Sequence, residues 1–430
     1  MPTEGRPYKI CTRLLDTANT FDVAVAGAGP AGSSVAIELA LSGARVLLLE
    51  EKKFPRPKLC GEFISPECLA HFKRLGVIEQ MSASGGASVA ETVFYSRRGK
   101  SVSVPSEWFK SGAVALGLSR SEMDLQLLER AKNVGVVVLE ATHAASLLRE
   151  GETVCGIRAR SSDKAGSDKT GADKTTDYRA LVTVDATGRT RALARQLDPP
   201  RANRRKNVKP LVAFKVHLQD ARLAPGACEI YFYQRGYGGL SSVEGGVSNL
   251  CFIVGARDVR RFSSDPERVL REVVMKNPRA AATLADAKAA TPWLSVSLES
   301  FGRRTVVPAA GLLAAGDAAA FIDPFTGSGM LMAMESGHLA AESIIRHLSH
   351  LRQGEGFGDG FELLAADYRT EYSRRFESRL GVSGLLRRAA FVPHLDEAAI
   401  FLFGLSSQLR RKLARATRHS SSREATASRV

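Results

Sequence analysis

The chain has 430 residues and a formal net charge of +15, and 44% of its residues are hydrophobic. This composition is typical of globular proteins, and the length exceeds one ordinary core, so we expect two domains. No apolar run approaches about 18 residues and the first twenty residues are mixed and polar, which predicts neither a spanning helix nor a signal peptide.

The first predicted element is a strand, a glycine turn and a helix within residues 23–32, which read VAVAGAGPAG. Gly27 permits the turn, Gly29 lets a pyrophosphate approach the backbone, and Gly32 lets the helix pack closely on the strand. A second apolar strand ends at Glu50, where a carboxylate accepts hydrogen bonds from ribose hydroxyls. The pattern predicts a dinucleotide site at the helix N-terminus. The alternative is a glycine turn that only packs.

The next elements continue a βα pattern. A helix begins near Ser119 or Ser121, either of which is a plausible cap, and a strand is predicted over 134–139. Residues 161–177 contain three similar Asp-Lys repeats with almost no apolar side chains. We interpret this tract as an exposed, mobile hairpin loop. Residues 181–188 form a strand that ends in the turn Asp-Ala-Thr-Gly.

Residues from about 208 to 300 hold alternating stretches with glycine turns, which predict an antiparallel sheet in a second domain. A buried strand returns at 312–317, and a long helix begins at Gly329. The first domain is therefore interrupted by the second. We assign 21–84, 115–200 and 300–352 to a nucleotide-binding domain, 85–114 and 201–299 to a substrate domain, and 353–430 to a C-terminal helical region.

The strand before residue 317 ends in an acid and a glycine-rich turn. It delivers Asp317 at its carboxyl end, where open α/β sheets bind ligands. The turn then places bare backbone amides at the start of a helix, where they stabilise negative charge. An Asp that merely caps a helix is the alternative. The candidate cofactor-binding residues of this segment are Gly316, Asp317, Pro324, Gly327, Ser328, Gly329 and Met330.

The three segments, in this order and at these separations, resemble the FAD-binding enzymes built like aromatic-ring hydroxylases, and most of all their geranylgeranyl reductase branch. The resemblance spans about residues 21–350. It implies a Rossmann-like FAD domain with a parallel sheet, interleaved with an antiparallel substrate domain and followed by C-terminal helices. It also implies FAD as the cofactor and NAD(P)H as a transient electron donor. By this resemblance Asp185 and Gly188 lie near the FAD pyrophosphate, Asp317 binds a ribitol hydroxyl and Arg120 reaches toward FAD.

A second part of the resemblance concerns the substrate cavity. Residues 55–61, PRPKLCG, are similar to a Pro-x-x-x-x-Cys-Gly signature whose cysteine faces the flavin and the substrate, which makes Cys60 a candidate catalytic residue. A lone cysteine is otherwise a small buried hydrophobe. Tyr237 matches the start of the reductases' Tyr-x-Trp-x-Phe-Pro stretch and is the second candidate. Gly239, Ser241 and Ser242 replace its Trp, Phe and Pro, which favours a bulkier or flatter substrate than an isoprenoid chain.

These observations favour an FAD-dependent oxidoreductase that oxidises or hydroxylates a lipophilic, aromatic or polyketide-like molecule. The alternatives are reduction of carbon–carbon double bonds in an isoprenoid, and a flavin-binding protein without turnover. Flavin halogenases share the fold, but their Trp-x-Trp-x-Ile-Pro stretch is absent because Trp108 and Trp293 stand alone. Six cysteines without a C-x-x-C pair predict reduced thiols in the cytoplasm and no zinc or iron–sulfur centre.

The positive charge is concentrated at the C-terminal end. Residues 369–430 contain thirteen Arg or Lys and five Asp or Glu, and the apolar run Ile-Phe-Leu-Phe precedes Arg-Arg-Lys. This combination predicts either peripheral contact with the inner face of a membrane or a helix packed on the body with a solvated basic tail. Nucleic acid is not an expected partner, since no recognition module accompanies the charge. The oligomeric state is left open.

Overall fold

The structure is a computed structural model that describes residues 18–110, 112–161, 174–198, 210–298, 301–353, 357–390 and 395–416. The predicted mobile loop over 161–177 therefore falls largely outside the described residues, as does the end of the basic tail. None of the described helices is long and apolar enough to cross a membrane.

The described strands alternate with helices in the first half of the chain and follow one another in the middle. They are β1 (Thr20–Ala26), β2 (Val46–Leu49), β3 (Phe63–Ile64), β4 (Ala87–Val89), β5 (Glu91–Tyr95), β6 (Ser101–Pro105), β7 (Ala115–Gly117), β8 (Val137–Leu139), β9 (Thr142–Glu150), β10 (Thr153–Ser161), β11 (Thr175–Asp185), β12 (Leu211–Gln219), β13 (Ala227–Tyr233), β14 (Gly236–Ser242), β15 (Ser248–Gly255), β16 (Lys288–Ala289), β17 (Leu294–Leu298), β18 (Gly302–Arg303), β19 (Leu312–Ala314) and β20 (Ala320–Phe321).

The described helices are α1 (Pro30–Leu41), α2 (Cys68–Leu75), α3 (Ile78–Ala83), α4 (Arg120–Asn133), α5 (Ala256–Arg261), α6 (Pro266–Glu272), α7 (Pro278–Thr283), α8 (Gly329–Gln353), α9 (Phe357–Ala390), α10 (Leu395–Leu405) and α11 (Ser407–Ala416). The longest of the described helices are α8 and α9, with 25 and 34 residues.

The first sheet places β8, β2, β1 and β11 side by side in parallel. The end of β11 also pairs in parallel with β19, whereas its beginning pairs with β10 in an antiparallel hairpin. Strand β1 is apolar on both faces: Val23 and Val25 belong to the large core with α1 and α8, and Ala24 and Ala26 belong to the core on the opposite face. Burial on both faces is what a parallel sheet requires. The predicted fold class is confirmed.

The second sheet has the order β16-β12-β15-β14-β13-β5-β6, and its neighbours are antiparallel except β13 and β5. Helices α5–α7 lie in the same segment of chain and contribute to its core. The sequence analysis predicted only extended stretches there and missed these helices. The sequence does contain the pattern that starts these helices. Asp265 caps α6 and Asn277 caps α7, and a proline follows each of them.

A small third sheet joins the two domains. Strand β7 pairs with both β3 and β4, while the neighbouring strands β5 and β6 belong to the second sheet. The segment assigned to the substrate domain over 85–114 is therefore divided between two sheets. Residues 58–62 lie against β12 and β15 of the second sheet.

Candidate functional site

A cavity of about 770 Å³ opens at the carboxyl ends of β1, β2, β11 and β19 and extends along the second sheet to α10 and α11. This is the edge at which open α/β sheets bind ligands. Most of the predicted site residues line it: Gly27, Gly29, Glu50, Cys60, Arg120, Gly188, Tyr237, Gly316, Asp317, Pro324, Gly327, Gly329 and Met330. Gly32, Asp185 and Ser328 do not line the cavity.

The glycine turn between β1 and α1 is closely built. Gly27 has a φ of +99°, and a Cβ there would lie 2.5 Å from the carbonyl oxygen of Ala186. A Cβ on Gly32 would collide with the carbonyl oxygen of Gly27. Gly29 differs, since the nearest atom to a Cβ built on it is Nη2 of Arg120, 3.8 Å away. The backbone at the start of α1 is thus open toward a cation, as a pyrophosphate site requires.

Glu50 follows β2 and closes this turn. Its Oε2 accepts a hydrogen bond from the backbone N–H of Ala28 at 2.9 Å, and its Oε1 accepts one from the backbone N–H of Lys52 at 3.1 Å. Nη2 of Arg56 donates to Oε2 at 3.3 Å. The buried carboxylate is therefore fixed at the tip of the glycine turn, where the sequence predicted a ribose contact.

Arg120 begins α4 and is buried. Its Nε and Nη2 donate to the two oxygens of Asp124 at 2.8 and 2.7 Å, and Arg56 donates to the same carboxylate at 3.1 Å. Burial opposes the charge of Arg120, but the adjacent Asp124 raises its pKa above the ordinary value. Arg120 is thus a rigid, permanent cation beside Gly29, and the Cys60 side chain lies against it.

Asp317 follows β19 and faces the cavity. Burial raises the pKa of Asp317 to about 6, although Arg120, Lys58 and Arg189 act in the opposite direction. A half-buried carboxylate among cations is suited to accept a hydrogen bond from a ligand hydroxyl. Beyond it, Gly327 has a φ of +59° and α8 begins at Gly329, so the N-terminus of α8 also borders the cavity.

Two predicted cofactor residues lie behind the wall. Asp185 is fully buried, and its carboxylate accepts hydrogen bonds from Thr187 N, Thr187 Oγ1, Leu193 N and Ala194 N at 2.6–3.2 Å. Asp185 therefore shapes the loop that carries Gly188 to the cavity and makes no contact with the cavity itself. Ser328 is buried and its hydroxyl is 2.7 Å from that of Thr326.

A buried ionic cluster, which we call the Glu62 cluster, consists of Glu62, Lys215 and His217. Nζ of Lys215 donates to Glu62 Oε1, and Nε2 of His217 lies 2.7 Å from Oε2. The backbone N–H of Arg120 also donates to Oε1 at 2.8 Å. Burial tends to raise the pKa of Glu62, but His217 and Lys215 outweigh it and lower the pKa.

The Glu62 cluster fixes the loop that carries Cys60. Nζ of Lys215 donates to the carbonyl of Lys58 at 3.1 Å, and Nδ2 of Asn249 donates to the carbonyl of Cys60 at 3.1 Å. Glu62 itself has a φ of +54°, a conformation that is uncommon for a side-chain-bearing residue and is held here by these contacts. Strands β12 and β15 therefore position Cys60 at the cavity wall.

Tyr237 lines the cavity with its ring and not with a free hydroxyl. The hydroxyl donates to Asp323, and the ring contacts Phe325 edge-on at 5.3 Å between centroids. Burial and Asp323 raise the pKa of Tyr237 well above its ordinary value. The residue thus stays neutral and ties β14 to the turn before α8.

The remaining wall is mostly apolar. Phe94, Val102, Ile230 and Phe232 line the cavity along the second sheet, and Ile400, Phe403 and Leu413 close its far end. A Cβ on Gly239 would lie only 3.0 Å from Cδ1 of Ile230. The space expected from the missing Trp at Gly239 is therefore partly filled by a side chain from the neighbouring strand.

A parallel sheet with a glycine turn, an acid after its second strand and an acid after β19 defines a dinucleotide-binding flavoprotein, and the residues present fit FAD. The chain belongs to the family described as FAD binding domain, whose model matches residues 20–356. The predicted family and the predicted cofactor, FAD, are confirmed. The chain accordingly stands among FAD-dependent oxidoreductases.

Several curated proteins are similar over most of the chain. Conditioned medium factor receptor 1 of Dictyostelium discoideum is 28% identical and covers 81% of this chain and 69% of its own length. Digeranylgeranylglycerophospholipid reductase of Methanosarcina mazei is 28% identical and covers 76% of each chain. Menaquinone reductase of Mycolicibacterium smegmatis is 26% identical and covers 75% of each.

Solved structures share the fold at lower identity. The flavin-dependent brominase Bmp2 has a TM-score of 0.73 and 21% identity over 93% of each chain. A geranylgeranyl bacteriochlorophyll reductase-like protein from Thermoplasma acidophilum has a TM-score of 0.73 and 20% identity over 94% of this chain and 97% of its own. At these identities the likeness defines the fold alone.

The sequence analysis missed Lys58, Lys215 and His217. Lys58 lines the cavity. It lies within the PRPKLCG motif, two residues before Cys60, and this position could have indicated its place at the site. Lys215 and His217 contact Glu62 across more than 150 residues of sequence. No local pattern indicated that contact, although alternate residues of a strand were expected to share a face.

Proposed function

We propose that the protein is an FAD-dependent reductase that saturates a carbon–carbon double bond in a long lipophilic substrate of isoprenoid type. The observation that carries this proposal is the apolar cavity, which continues from Cys60 and Asp317 along the second sheet to α10 and α11. Such a cavity suits an extended hydrocarbon, whose transfer from water into it is favourable.

The chain's own residues would organise the reaction. FAD, when bound, supplies hydride transfer, while the protein supplies binding, orientation and exclusion of water. Arg120 and the start of α1 would hold the pyrophosphate, Glu50 a ribose and Asp317 a hydroxyl of the ribityl chain. Cys60, fixed by the Glu62 cluster, would border the reacting end of the substrate, and the apolar wall would keep water out.

The relatives' names support reduction over oxidation. Two of them are reductases of digeranylgeranylglycerophospholipid and menaquinone. The sequence analysis favoured oxidation because Gly239 and Ser241 were expected to widen the cavity. Ile230 narrows it beside Gly239, which weakens that reason. Hydroxylation of a flatter molecule stays the second candidate, supported by Ser241 at the cavity wall.

The electron donor is proposed to be NAD(P)H, bound transiently. Anaerobic addition of NADH or NADPH to the yellow protein should bleach its flavin absorbance. Dithionite is the control, because it reduces the flavin directly. If dithionite bleaches the flavin but neither NADH nor NADPH does, this donor is contradicted.

Product analysis tests the proposed reaction. The dithionite-reduced protein, held anaerobically in detergent with a geranylgeranylated glycerolipid, or with a menaquinone whose quinol is reoxidised before analysis, should yield a product heavier by two hydrogens per double bond. In heavy water both added hydrogens should be deuterium, because dithionite supplies only electrons and the flavin hydrogen exchanges with solvent. An oxygenated product that appears only in air would favour hydroxylation. A bound, reducible flavin that turns over no member of either substrate class would favour the non-catalytic alternative.

A further inference from the structure

Helices α10 and α11 carry large apolar side chains on the side away from the cavity. Ile400 is buried and Phe403 lines the cavity, whereas Phe401, Leu402 and Leu405 are 59%, 55% and 71% exposed. Leu409 of α11 is 46% exposed. Single exposed apolar residues are common on protein surfaces, whereas a group of them indicates an interaction site.

Helix α11 is positively charged. Arg411, Lys412 and Arg415 are exposed on α11, and the sequence of this helix, SQLRRKLARA, contains no acidic residue. Arg410 donates to the carbonyl of Ser103 at 3.0 Å, and Nε of the exposed Arg415 donates to the carbonyl of Trp108 at 3.4 Å. Cations beside exposed apolar side chains are complementary to lipid phosphates above an acyl layer.

We propose that α10 and α11 dock on the surface of an anionic lipid bilayer. The apolar side chains of Phe401, Leu402, Leu405 and Leu409, which we call the docking patch, enter the boundary between headgroups and acyl chains. The cations of α11 pair with lipid phosphates. A bilayer is favoured over a protein partner because the patch combines hydrocarbon with charge of a single sign.

Docking there would place the lipid phase beside the cavity's far end. The inner faces of α10 and α11 form that end through Ile400, Phe403 and Leu413. Hydrogen bonds to the body occur at the start of α10, where Arg97 N donates to Asp396 at 3.0 Å and Arg98 N to Glu397 at 2.9 Å. We infer that a lipophilic substrate enters the cavity between these helices. This step alone rests on the proposed function.

Vesicle co-sedimentation of the full FAD-loaded chain tests the docking. The protein should sediment with phosphatidylcholine vesicles that contain phosphatidylglycerol, and less so with phosphatidylcholine alone or at high salt. Replacing Arg411, Lys412 and Arg415 with glutamine should lower the partition coefficient on anionic vesicles on the order of 100-fold. Leu402→Ser with Leu405→Ser should lower binding to both vesicle types.

Leu363→Ser is the matched control. Leu363 is 59% exposed and lies near the start of α9, outside α10 and α11. The substitution should leave vesicle binding unchanged. Equal losses in Leu363→Ser and in the patch variants, or no binding by the wild-type chain, would overturn the proposal. So would a patch that proves to be the contact between two copies, seen as dissociation of a dimer by Leu405→Ser.

Vesicle binding requires no turnover, so the two proposals fail separately. If the protein binds vesicles but reduces no double bond, the docking proposal is supported and the reductase proposal is refuted. If it reduces its substrate in detergent but does not bind vesicles, the reductase proposal is supported and the docking proposal is refuted.

Discussion

Replacing Glu62 with glutamine removes the negative charge of the buried ion pair that holds the Cys60 loop. The side chain of Lys215 is 4% exposed and that of Glu62 is fully buried, so Glu62→Gln leaves an ammonium ion without its counter-charge in the interior. Removal of one partner of a buried pair costs about 3–5 kcal/mol. Because the whole domain is held by roughly 5–15 kcal/mol, we expect the variant to be folded only marginally at neutral pH.

The measurement is the free energy of unfolding from denaturant titration of the FAD-free protein. The double variant Glu62→Gln with Lys215→Met removes both charges and should recover most of the loss, since an apolar replacement of a buried pair is often close to neutral. Glu150→Gln is the control, because its partner Arg179 is 49% exposed and an exposed pair contributes about 0–1 kcal/mol.

Cys60 provides a second measurement of the same contact. If the Glu62 cluster positions the loop, Glu62→Gln with Lys215→Met should fold and yet change the rate at which a maleimide labels Cys60. An unfolding free energy of Glu62→Gln within about 1 kcal/mol of the wild type would refute the assignment of a charged, buried pair. An unchanged labelling rate in the double variant would refute its positioning role.

Four other outcomes are expected. Stability should decrease as the pH falls below the ordinary Glu62 value of 4.5, because its lowered pKa makes the unfolded chain bind that proton more readily; denaturation at stepped pH measures this. Between pH 3.8 and about 6 the FAD-free protein should lose stability as pH rises, because native Asp317 keeps its proton longer than the unfolded chain; Asp317→Asn should flatten that part of the melting profile. Asp317→Ala should lose FAD, read as the flavin-to-protein absorbance ratio after gel filtration, and full occupancy would contradict its role. Tyr237→Phe should cost about 1–3 kcal/mol in thermal unfolding, because it removes one of the two donors to Oδ1 of buried Asp323 and leaves only the backbone N–H of Phe325.

The cofactor end of the site could be predicted because its determinants are local. The turn at Gly27 and the carboxylate of Glu50 follow strands whose apolar runs are continuous in sequence, and parallel strands end at one edge. Asp317 was found for the same reason, since it also follows a buried strand. In each case a few neighbouring residues specify both the element and the position of its functional group.

The substrate end could not be predicted in the same way. The wall beside Gly239 depends on Ile230, which belongs to a different strand and whose register is set by pairing. Similarly, the contact of Glu62 with His217 spans 155 residues. For Asp185 the motif predicted a position near the cofactor, and the structure adds that its carboxylate accepts hydrogen bonds from four donors of its own loop.

The parallel pairing of β11 with both β1 and β19 has a consequence for biosynthesis. Strand β19 and the acid that follows come after the whole second sheet, so Asp317 emerges from the ribosome 290 residues after Gly27 (317 − 27). A nascent chain that has completed the antiparallel sheet still lacks β19 and Asp317, which form part of the proposed FAD site. With Gly29 and Asp317 both assigned to FAD, as proposed above, we expect FAD capture to be a late event in synthesis, and the bound coenzyme to contact two segments distant in sequence and shift the equilibrium toward the folded form.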